Sequence, residues 1–171
     1  MIVFDTFGPV EVPTEKRNAG RAIKKDLTEF WASHEDIASQ VGCYVFSIKT
    51  GRASIPFYVG MTTKSFEREC FTDHKLKHYT DTLSDYRRGK PQMTFITCQL
   101  PRTQPSKKMV EAIVELETFL IQTAVRSNPD LRNSKGAHGP DWGIQGVVRA
   151  MRGRRTTSQA SLARMLHLSD D

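Results

Sequence analysis

The sequence has few cysteines, and none is placed for a metal site or a disulfide framework. Cys43, Cys70 and Cys98 stand alone and are odd in number, whereas zinc sites and disulfide-rich domains need closely spaced or paired cysteines. The chain also lacks an apolar run of 18 residues and a secretory pattern. These absences argue against a membrane-spanning helix and a disulfide-stabilised secreted domain, and they predict a soluble, cytoplasmic protein.

Internal repeats and low-complexity tracts are absent as well, and 171 residues suffice for a single hydrophobic core. The pattern divides the chain into a helical amino-terminal extension over residues 1–40, a core over 41–135 and a basic helical extension over 136–171. We expect the last of these to pack on the same domain as the core.

Apolar periodicity and β-prone composition predict the elements around the central motifs. Helices are predicted at about Glu15–Ala32, Tyr79–Arg88, 144–151 and Ser158–His167, and a third strand at Gln92–Leu100. The fold class is therefore α+β, within the broad α/β group: a small, three-stranded, mainly antiparallel sheet flanked by helices.

The balance of charge favours an acidic partner. The chain has 25 Lys plus Arg against 19 Asp plus Glu, a net charge of +6. Basic residues cluster at Lys24-Lys25, Arg87-Arg88, Lys107-Lys108 and Arg149 to Arg155. Nucleic acid is the partner that such clusters favour, although a basic cluster is also an ordinary solvated face.

Two β-prone runs flank a turn in the central region. Gly42–Lys49 and Ile55–Met61 are rich in β-branched and aromatic residues, and Gly51 lies between them. A turn centred on Gly51 would pair positions whose numbers sum to 102, which places Tyr44 opposite Tyr58. The two phenols are then predicted to share one face of a hairpin.

A short helix is expected to follow this hairpin from about Lys64. Arg68 lies four positions later, so the two side chains would share a stripe on that helix. The planar guanidinium of Arg68 suits a phosphate group.

A longer helix, predicted at about Ser106–Val125, carries one carboxylate in an unusual place. Glu111 and Glu115 fall on the solvent face, whereas Glu117 falls on the packed side beside Ile113. A carboxylate on a packed face is costly unless it is paired or holds a cation. A metal ion is the simplest explanation, and a salt bridge to a neighbouring Lys or Arg is the alternative.

These residues resemble the GIY-YIG nuclease family, whose two motifs are written here as Gly42-Cys43-Tyr44 and Tyr58-Val59-Gly60. The resemblance runs from about Val41 to Asn133. In that family two tyrosines, an arginine, a histidine or tyrosine, a glutamate and an asparagine build the site. The residues that match in order are Tyr44, Tyr58, Arg68, His74, Glu117 and Asn133.

The chain departs from the family pattern at three points. Cys43 replaces an aliphatic residue, which is conservative because a free cysteine packs as a small hydrophobe. The connection between the two tyrosines is longer than usual. The residue one helical turn after Arg68 is Thr72 rather than His or Tyr, so the post-arginine role is open between His74, His78 and an unfilled position at Thr72.

The resemblance implies hydrolysis of a phosphodiester at a single divalent metal ion, Mg²⁺ or Mn²⁺, held by Glu117. It implies that Tyr44 is the general base, that Arg68 stabilises charge on the phosphoryl group, and that Tyr58 and His74 donate or accept hydrogen bonds or relay protons. A free phenol has a pKa near about 10, so Tyr44 would need help to lose its proton.

The implied partner is DNA of either strandedness, with RNA possible, and neither a membrane nor a small organic cofactor is expected. Positive side chains expected to contact the nucleic acid are Lys64, Lys75, Arg149, Arg152, Arg154 and Arg155. Two other classes stay open: a catalytically degenerate nucleic-acid-binding protein, and a structural or inhibitory module that uses the fold to bind protein. Strandedness, sequence preference, biological role and oligomeric state are left open.

Overall fold

The structure is a computed structural model that describes residues 2–17, 20–51, 53–98, 104–133, 144–145, 149–150 and 154–165. The chain forms two compact units, Met1–Ala137 and His138–Asp171. None of the helices in the described part is both long and apolar enough to span a membrane.

The first unit is built on a four-stranded antiparallel sheet, one strand more than the three expected. The α+β class is therefore confirmed with a larger sheet. Its strands, in spatial order, are β1 (Asp5–Glu11), β6 (Lys90–Cys98), β4 (Val41–Thr50) and β5 (Ala53–Thr62).

Strand β1 was missed because Gly8 and Pro9 interrupt it. Its pairing with β6 shifts register between Phe7 and Val10, which is the kind of irregularity where proline is tolerated on an edge strand. The sequence there contains two residues that ordinarily argue against a strand, so composition alone pointed away from the observed structure.

The helix predicted over Glu15–Ala32 is wrong. That segment forms a two-stranded hairpin of β2 (Thr14–Arg17) and β3 (Gly20–Ile23), followed by α1 (Thr28–Ala32). The apolar side chains that suggested one stripe are buried, but separate elements bury them; they are Ile23, Leu27, Phe30 and Trp31. A second short helix, α2 (Glu35–Ala38), precedes β4.

Two helices follow β5 on one face of the sheet. The first, α3, spans Phe66–Glu69, and the second, α4, spans Asp73–Asp85. Helix α4 therefore begins six residues before the predicted Tyr79 and ends before Arg88. The start of the helix was predicted too late because its first turn is polar and shows no apolar periodicity. The buried side chains of α4 are Tyr79, Thr82 and Leu83.

The opposite face of the sheet is covered by α5 (Lys107–Ser127), as predicted. The Ser106 hydroxyl caps it by accepting from the Met109 N–H. Strand β4 alternates between the two faces: Tyr44 and Phe46 pack in the cluster that includes α3 and α4, whereas Cys43 packs with Ile113 of α5.

In the second unit, the helix predicted over 144–151 is wrong where the structure describes it. Ile144–Gln145 (β7) and Arg149–Ala150 (β8) pair as short parallel strands. The final helix is confirmed, since α6 spans Thr157–Met165.

Candidate active site

The two motif tyrosines lie on one face of the β4–β5 hairpin, but they are not directly opposite each other. The pairing places Gly60 opposite Tyr44 and Phe46 opposite Tyr58, and a bulge after Phe46 shifts the register toward the turn. The predicted pairing was therefore wrong by two residues. The rings still stack diagonally, with centroids 6.4 Å apart and planes 13° from parallel.

Gly60 makes room for the Tyr44 phenol. A Cβ atom at Gly60 would lie 2.5 Å from both Cζ and Oη of Tyr44, far inside van der Waals contact. The glycine of the second motif is therefore needed because the phenol of the first motif lies against its Cα.

The Tyr44 hydroxyl is buried and makes no hydrogen bond of good geometry with a described residue, although it lies close enough to the Tyr79 side chain to add to the raised pKa of Tyr79. The adjacent Tyr79 hydroxyl is also buried, but it donates to the Cys70 carbonyl at 3.0 Å. Buried polar groups are ordinarily paired because an unpaired one costs about 1–3 kcal/mol. Tyr44 thus differs from an ordinary core tyrosine in a way that calls for a functional explanation.

Lys75, on the first turns of α4, places its ammonium beside this phenol. Its Nζ donates to the Glu69 carbonyl at 2.6 Å and to Glu69 Oε2 at 3.0 Å. The same Nζ lies 5.4 Å from the centroid of the Tyr44 ring, within cation–π distance. The side chain is only 13 % exposed, and the contact of Lys75 with nucleic acid stays a prediction.

Glu117 is half-buried, whereas Glu111 and Glu115 on the same helix are exposed, as the periodicity predicted. Burial raises the pKa of the Glu117 carboxyl, and the Lys75 charge partly offsets that effect. No salt bridge or hydrogen bond joins the Glu117 carboxylate to another residue in the described part of the chain. The alternative of a simple salt bridge is thus not what the structure shows.

The negative charge of Glu117 affects the pKa of both tyrosines. Burial is the main cause that raises the pKa of Tyr44 and of Tyr58, and the carboxylates of Glu69 and Glu117 add to it. Burial and Glu117 also raise the pKa of Cys43 to about 12. Both phenols are therefore strongly held in the protonated form unless positive charge is added beside them.

His74 and His78 form a pair one turn apart on α4. Their Nε2 atoms are 3.2 Å apart, and the rings meet edge to face. The His78 ring lies 5.9 Å from the Tyr58 ring. Burial and the neighbouring His74 lower the pKa of His78. Thr72 is the N-cap residue of α4, and its side chain accepts no capping hydrogen bond. The His78 ring lies beside Tyr58, and His74 contacts His78.

Arg68 lies on α3, but Lys64 does not share its helix, because α3 begins at Phe66 after the Ser65 cap. The predicted common stripe is therefore wrong. Both side chains are exposed. The backbone N–H of Arg68 donates to Ser65 Oγ, while its guanidinium pairs with no residue that the structure describes.

Asn133 is fixed on the edge strand β5. Its Oδ1 accepts from the Val59 N–H at 3.0 Å, and its Nδ2 donates to the Val59 carbonyl. The amide thereby substitutes for a neighbouring strand at the residue between Tyr58 and Gly60. This contact joins Asn133 to the backbone of the second motif.

The basic residues expected to bind nucleic acid in the tail are described only in part. Arg149 is in β8, Arg154 is exposed and Arg155 is partly buried. Arg152 lies outside the described residues.

A multidentate metal site is not what the described residues offer, since no three His, Cys, Asp or Glu side chains among them group to hold an ion. A single magnesium ion needs only one or two protein carboxylates, because it keeps several waters. Glu117 fits that requirement, because its carboxylate is half-buried and has no partner among the described residues. The negative charge of Glu117 also raises the pKa of both tyrosines and so opposes their ionisation.

Comparison with known proteins adds no assignment: no family model, curated protein or solved structure matches this chain.

Sequence reasoning did not predict the contact between Glu69 and Lys75 beside the Tyr44 ring. Glu69 adjoins Arg68 in sequence and lies six residues before Lys75, a spacing that suggests no contact within one helix. The contact arises because α3 ends at Glu69 and α4 starts at Asp73. The break between the two helices, which the sequence pattern did not reveal, brings them together.

Proposed function

We propose that this protein is a metal-dependent endonuclease of the GIY-YIG type that hydrolyses phosphodiester bonds in DNA. The observation that carries the proposal is the Tyr44 hydroxyl, which is buried without a partner among the described residues and stacked beside Tyr58. A buried hydroxyl without a partner lowers the stability of the fold. Such a cost is typical of functional sites, where a reactive group is held in a fixed position.

Glu117 would hold the divalent ion, Mg²⁺ or Mn²⁺. When bound, such an ion supplies positive charge that polarises a phosphoryl oxygen and favours ionised oxygen atoms nearby. The structural support is that Glu117 has no other described partner and that burial raises the pKa of its carboxyl.

Tyr44 would accept a proton from the attacking water. Its pKa is raised by burial and by the carboxylates around it, so added cations are needed to make it a base at neutral pH. Lys75 already lies over the Tyr44 ring, fixed by Glu69, while the pKa of Tyr44 is raised, so the added positive charge would come from the divalent ion. Arg68, exposed on α3, would bind the phosphoryl oxygens in the transition state.

Tyr58 and the His74–His78 pair would bring a proton to the departing oxygen. One histidine of the pair must donate to the other across their 3.2 Å contact, so the two behave as one unit. The lowered pKa of His78 favours its neutral ring, which would relay a proton by accepting one at one ring nitrogen as it donates from the other. The role left open between His74 and His78 is thus proposed for both.

The remaining predicted residues would position the chain and the substrate. Asn133 would hold β5, and with it Tyr58 and Gly60, in place through Val59. Lys64 and the tail arginines Arg149, Arg152, Arg154 and Arg155 would contact backbone phosphates and add to affinity rather than to chemistry.

The buried free cysteines suit the reducing cytoplasm, the compartment proposed here. Cys43, Cys70 and Cys98 are all buried and unpaired, and thiols stay reduced in that compartment.

A nucleic-acid-binding protein without catalysis is the second candidate. It is favoured by one observation: the Arg68 guanidinium is exposed and pairs with no residue among those described. A cleavage assay separates the two candidates. The nuclease proposal expects labelled DNA to be cut with Mg²⁺ and left intact with EDTA. Tight, salt-dependent binding without cleavage would favour the second candidate.

A further inference from the structure

A separate cavity lies at the other end of α4, between that helix and the β2–β3 hairpin. Its volume is about 350 Å³, which is within the range of small-ligand sites. The lining residues are Lys16, Arg17, Gly20, Arg21, Leu83, Ser84 and Arg87. Four of these seven side chains are basic and none is acidic.

Most of this positive charge is not neutralised within the described chain. Arg17 pairs with Glu15 at 2.6 Å. Lys16 and the Arg87 side chain pair with no described residue, and both are exposed. A cluster of like charges raises the local potential and attracts anions.

Arg21 fixes the shape of the cavity. Its Nη1 donates to the Gly89 carbonyl at 2.9 Å and to the Arg87 carbonyl at 3.2 Å. These bonds join the hairpin to the segment after α4. Because both acceptors are carbonyl groups and not carboxylates, the positive charge of Arg21 is not neutralised by them. The hairpin backbone and the segment that carries Arg87 are therefore joined at the cavity by Arg21.

Buried Leu83 and exposed Gly20 contribute the apolar part of the lining, and Ser84 contributes a hydroxyl. A lining that joins apolar and basic residues matches a chain that alternates flat apolar groups with anionic phosphates. Nucleic acid has that chemistry, since bases contact apolar surfaces while Lys and Arg bind phosphates.

The cavity and the candidate active site lie along the same helix. Lys75 and Ser84 are nine residues apart on α4, which corresponds to about 14 Å at 1.5 Å per residue. At about 100° per residue the two positions lie on opposite sides of the helix, so a nucleic-acid strand that reaches both the tyrosines and the cavity would wrap around α4.

We propose that this cavity is a second nucleic-acid-binding site that holds backbone phosphates outside the position of cleavage. It deepens the proposed function, on which its choice of ligand rests, and it makes the β2–β3 hairpin part of the substrate-binding surface. Lys16 and Arg87 supply the phosphate contacts, and Arg21 holds the walls in place.

The test measures binding without catalysis. Fluorescence anisotropy of a labelled duplex and a labelled single strand, in EDTA, is compared for the wild type and the double variant Lys16→Ala/Arg87→Ala. Loss of two phosphate contacts is expected to lower the salt slope on duplex DNA by just under about two units, and to weaken binding by about tenfold or more at about 0.1 M salt.

The matched control is Lys107→Ala/Lys108→Ala, which removes the same charge from exposed positions at the start of α5. A second variant, Ser84→Asp, adds a negative charge at the cavity edge while leaving every cation in place, and it is expected to weaken binding too. Melting curves of all three variants are expected to match the wild type.

Equal weakening by the cavity variant and the control variant would overturn the proposal, since the effect would then come from overall charge. Unchanged binding in Lys16→Ala/Arg87→Ala would overturn it as well, as would a wild type that binds no nucleic acid. Failure of the nuclease proposal looks different: the wild type would bind in this assay but would not cut DNA when Mg²⁺ is added.

Discussion

The phenol of Tyr44 lies against the Cα of Gly60, its partner across the β4–β5 hairpin. A methyl group at position 60 would stand 2.5 Å from the Tyr44 hydroxyl oxygen. The two motifs are thus joined by a steric requirement: the second motif ends in glycine because the first ends in tyrosine. The hydroxyl that Gly60 accommodates has no hydrogen-bond partner in the described part of the chain.

Gly60→Ala is expected to displace the Tyr44 ring and reduce cleavage by about 10²-fold or more, because misplacing a catalytic group by about 1 Å has that effect. The overlap with Cζ and Oη also strains the fold, so a loss of about 1–3 kcal/mol in unfolding free energy is expected. Cleavage per folded molecule and a denaturant melt measure the two effects. Wild-type turnover by a folded Gly60→Ala protein would separate Tyr44 from the chemistry.

Tyr44→Phe is expected to abolish cleavage while making the protein more stable. The substitution removes a buried hydroxyl without a described partner, which costs the fold about 1–3 kcal/mol. Tyr79→Phe is the control, because the Tyr79 hydroxyl is buried too but donates to the Cys70 carbonyl. That variant is expected to lose about 1 kcal/mol or more and to keep its activity.

The two melting temperatures, measured side by side, should therefore move in opposite directions. A lower melting temperature in Tyr44→Phe would mean that its hydroxyl is satisfied in solution, and retained cleavage would remove Tyr44 from the role of base.

Arg68→Lys is expected to be nearly as damaging as Arg68→Ala, with a loss of about 10²-fold or more in the cleavage rate. A lysine ammonium is a point charge and cannot reproduce the planar fork of the guanidinium on a phosphoryl group. Lys64→Ala, another exposed position close by in sequence, should change the rate little. Full activity in the lysine variant would mean that Arg68 contributes only positive charge, or lies outside the site.

Asn133→Asp is expected to destabilise the protein by about 1–3 kcal/mol, because a carboxylate cannot donate to the Val59 carbonyl. Asn128→Asp makes a matched comparison, since Asn128 Nδ2 donates to the Pro56 carbonyl of the same strand at 2.7 Å. Both variants should lose similar stability and keep most of their activity per folded molecule. A selective loss of turnover in Asn133→Asp would show that Asn133 acts directly in catalysis.

The elements and residues that are marked by a local sequence pattern could be predicted. The hairpin, helix α5 and the inward placement of Glu117 follow from period-two and period-3.6 patterns in the sequence. Strand β1 was not predictable in this way, because Gly8 and Pro9 argue against a strand.

The relationships between elements were the harder part. A bulge after Phe46 changes the register by one residue, and no local signal marks it. The Lys75–Glu69 contact depends on a break between α3 and α4. Such features depend on tertiary packing, which overrides local preference.

The central claim is that Glu117 holds the divalent ion that makes this chain a nuclease. The most direct test measures DNA cleavage with Mg²⁺ and with EDTA for the wild type, Glu117→Ala and Glu111→Ala. Glu111 is exposed on the same helix, and its contact with Lys107 is a surface pair at 4.0 Å, which is worth little. The account predicts Mg²⁺-dependent cleavage by the wild type and Glu111→Ala, and none by a folded, DNA-binding Glu117→Ala. Undiminished cleavage by Glu117→Ala, or equal losses in the two variants, would contradict it.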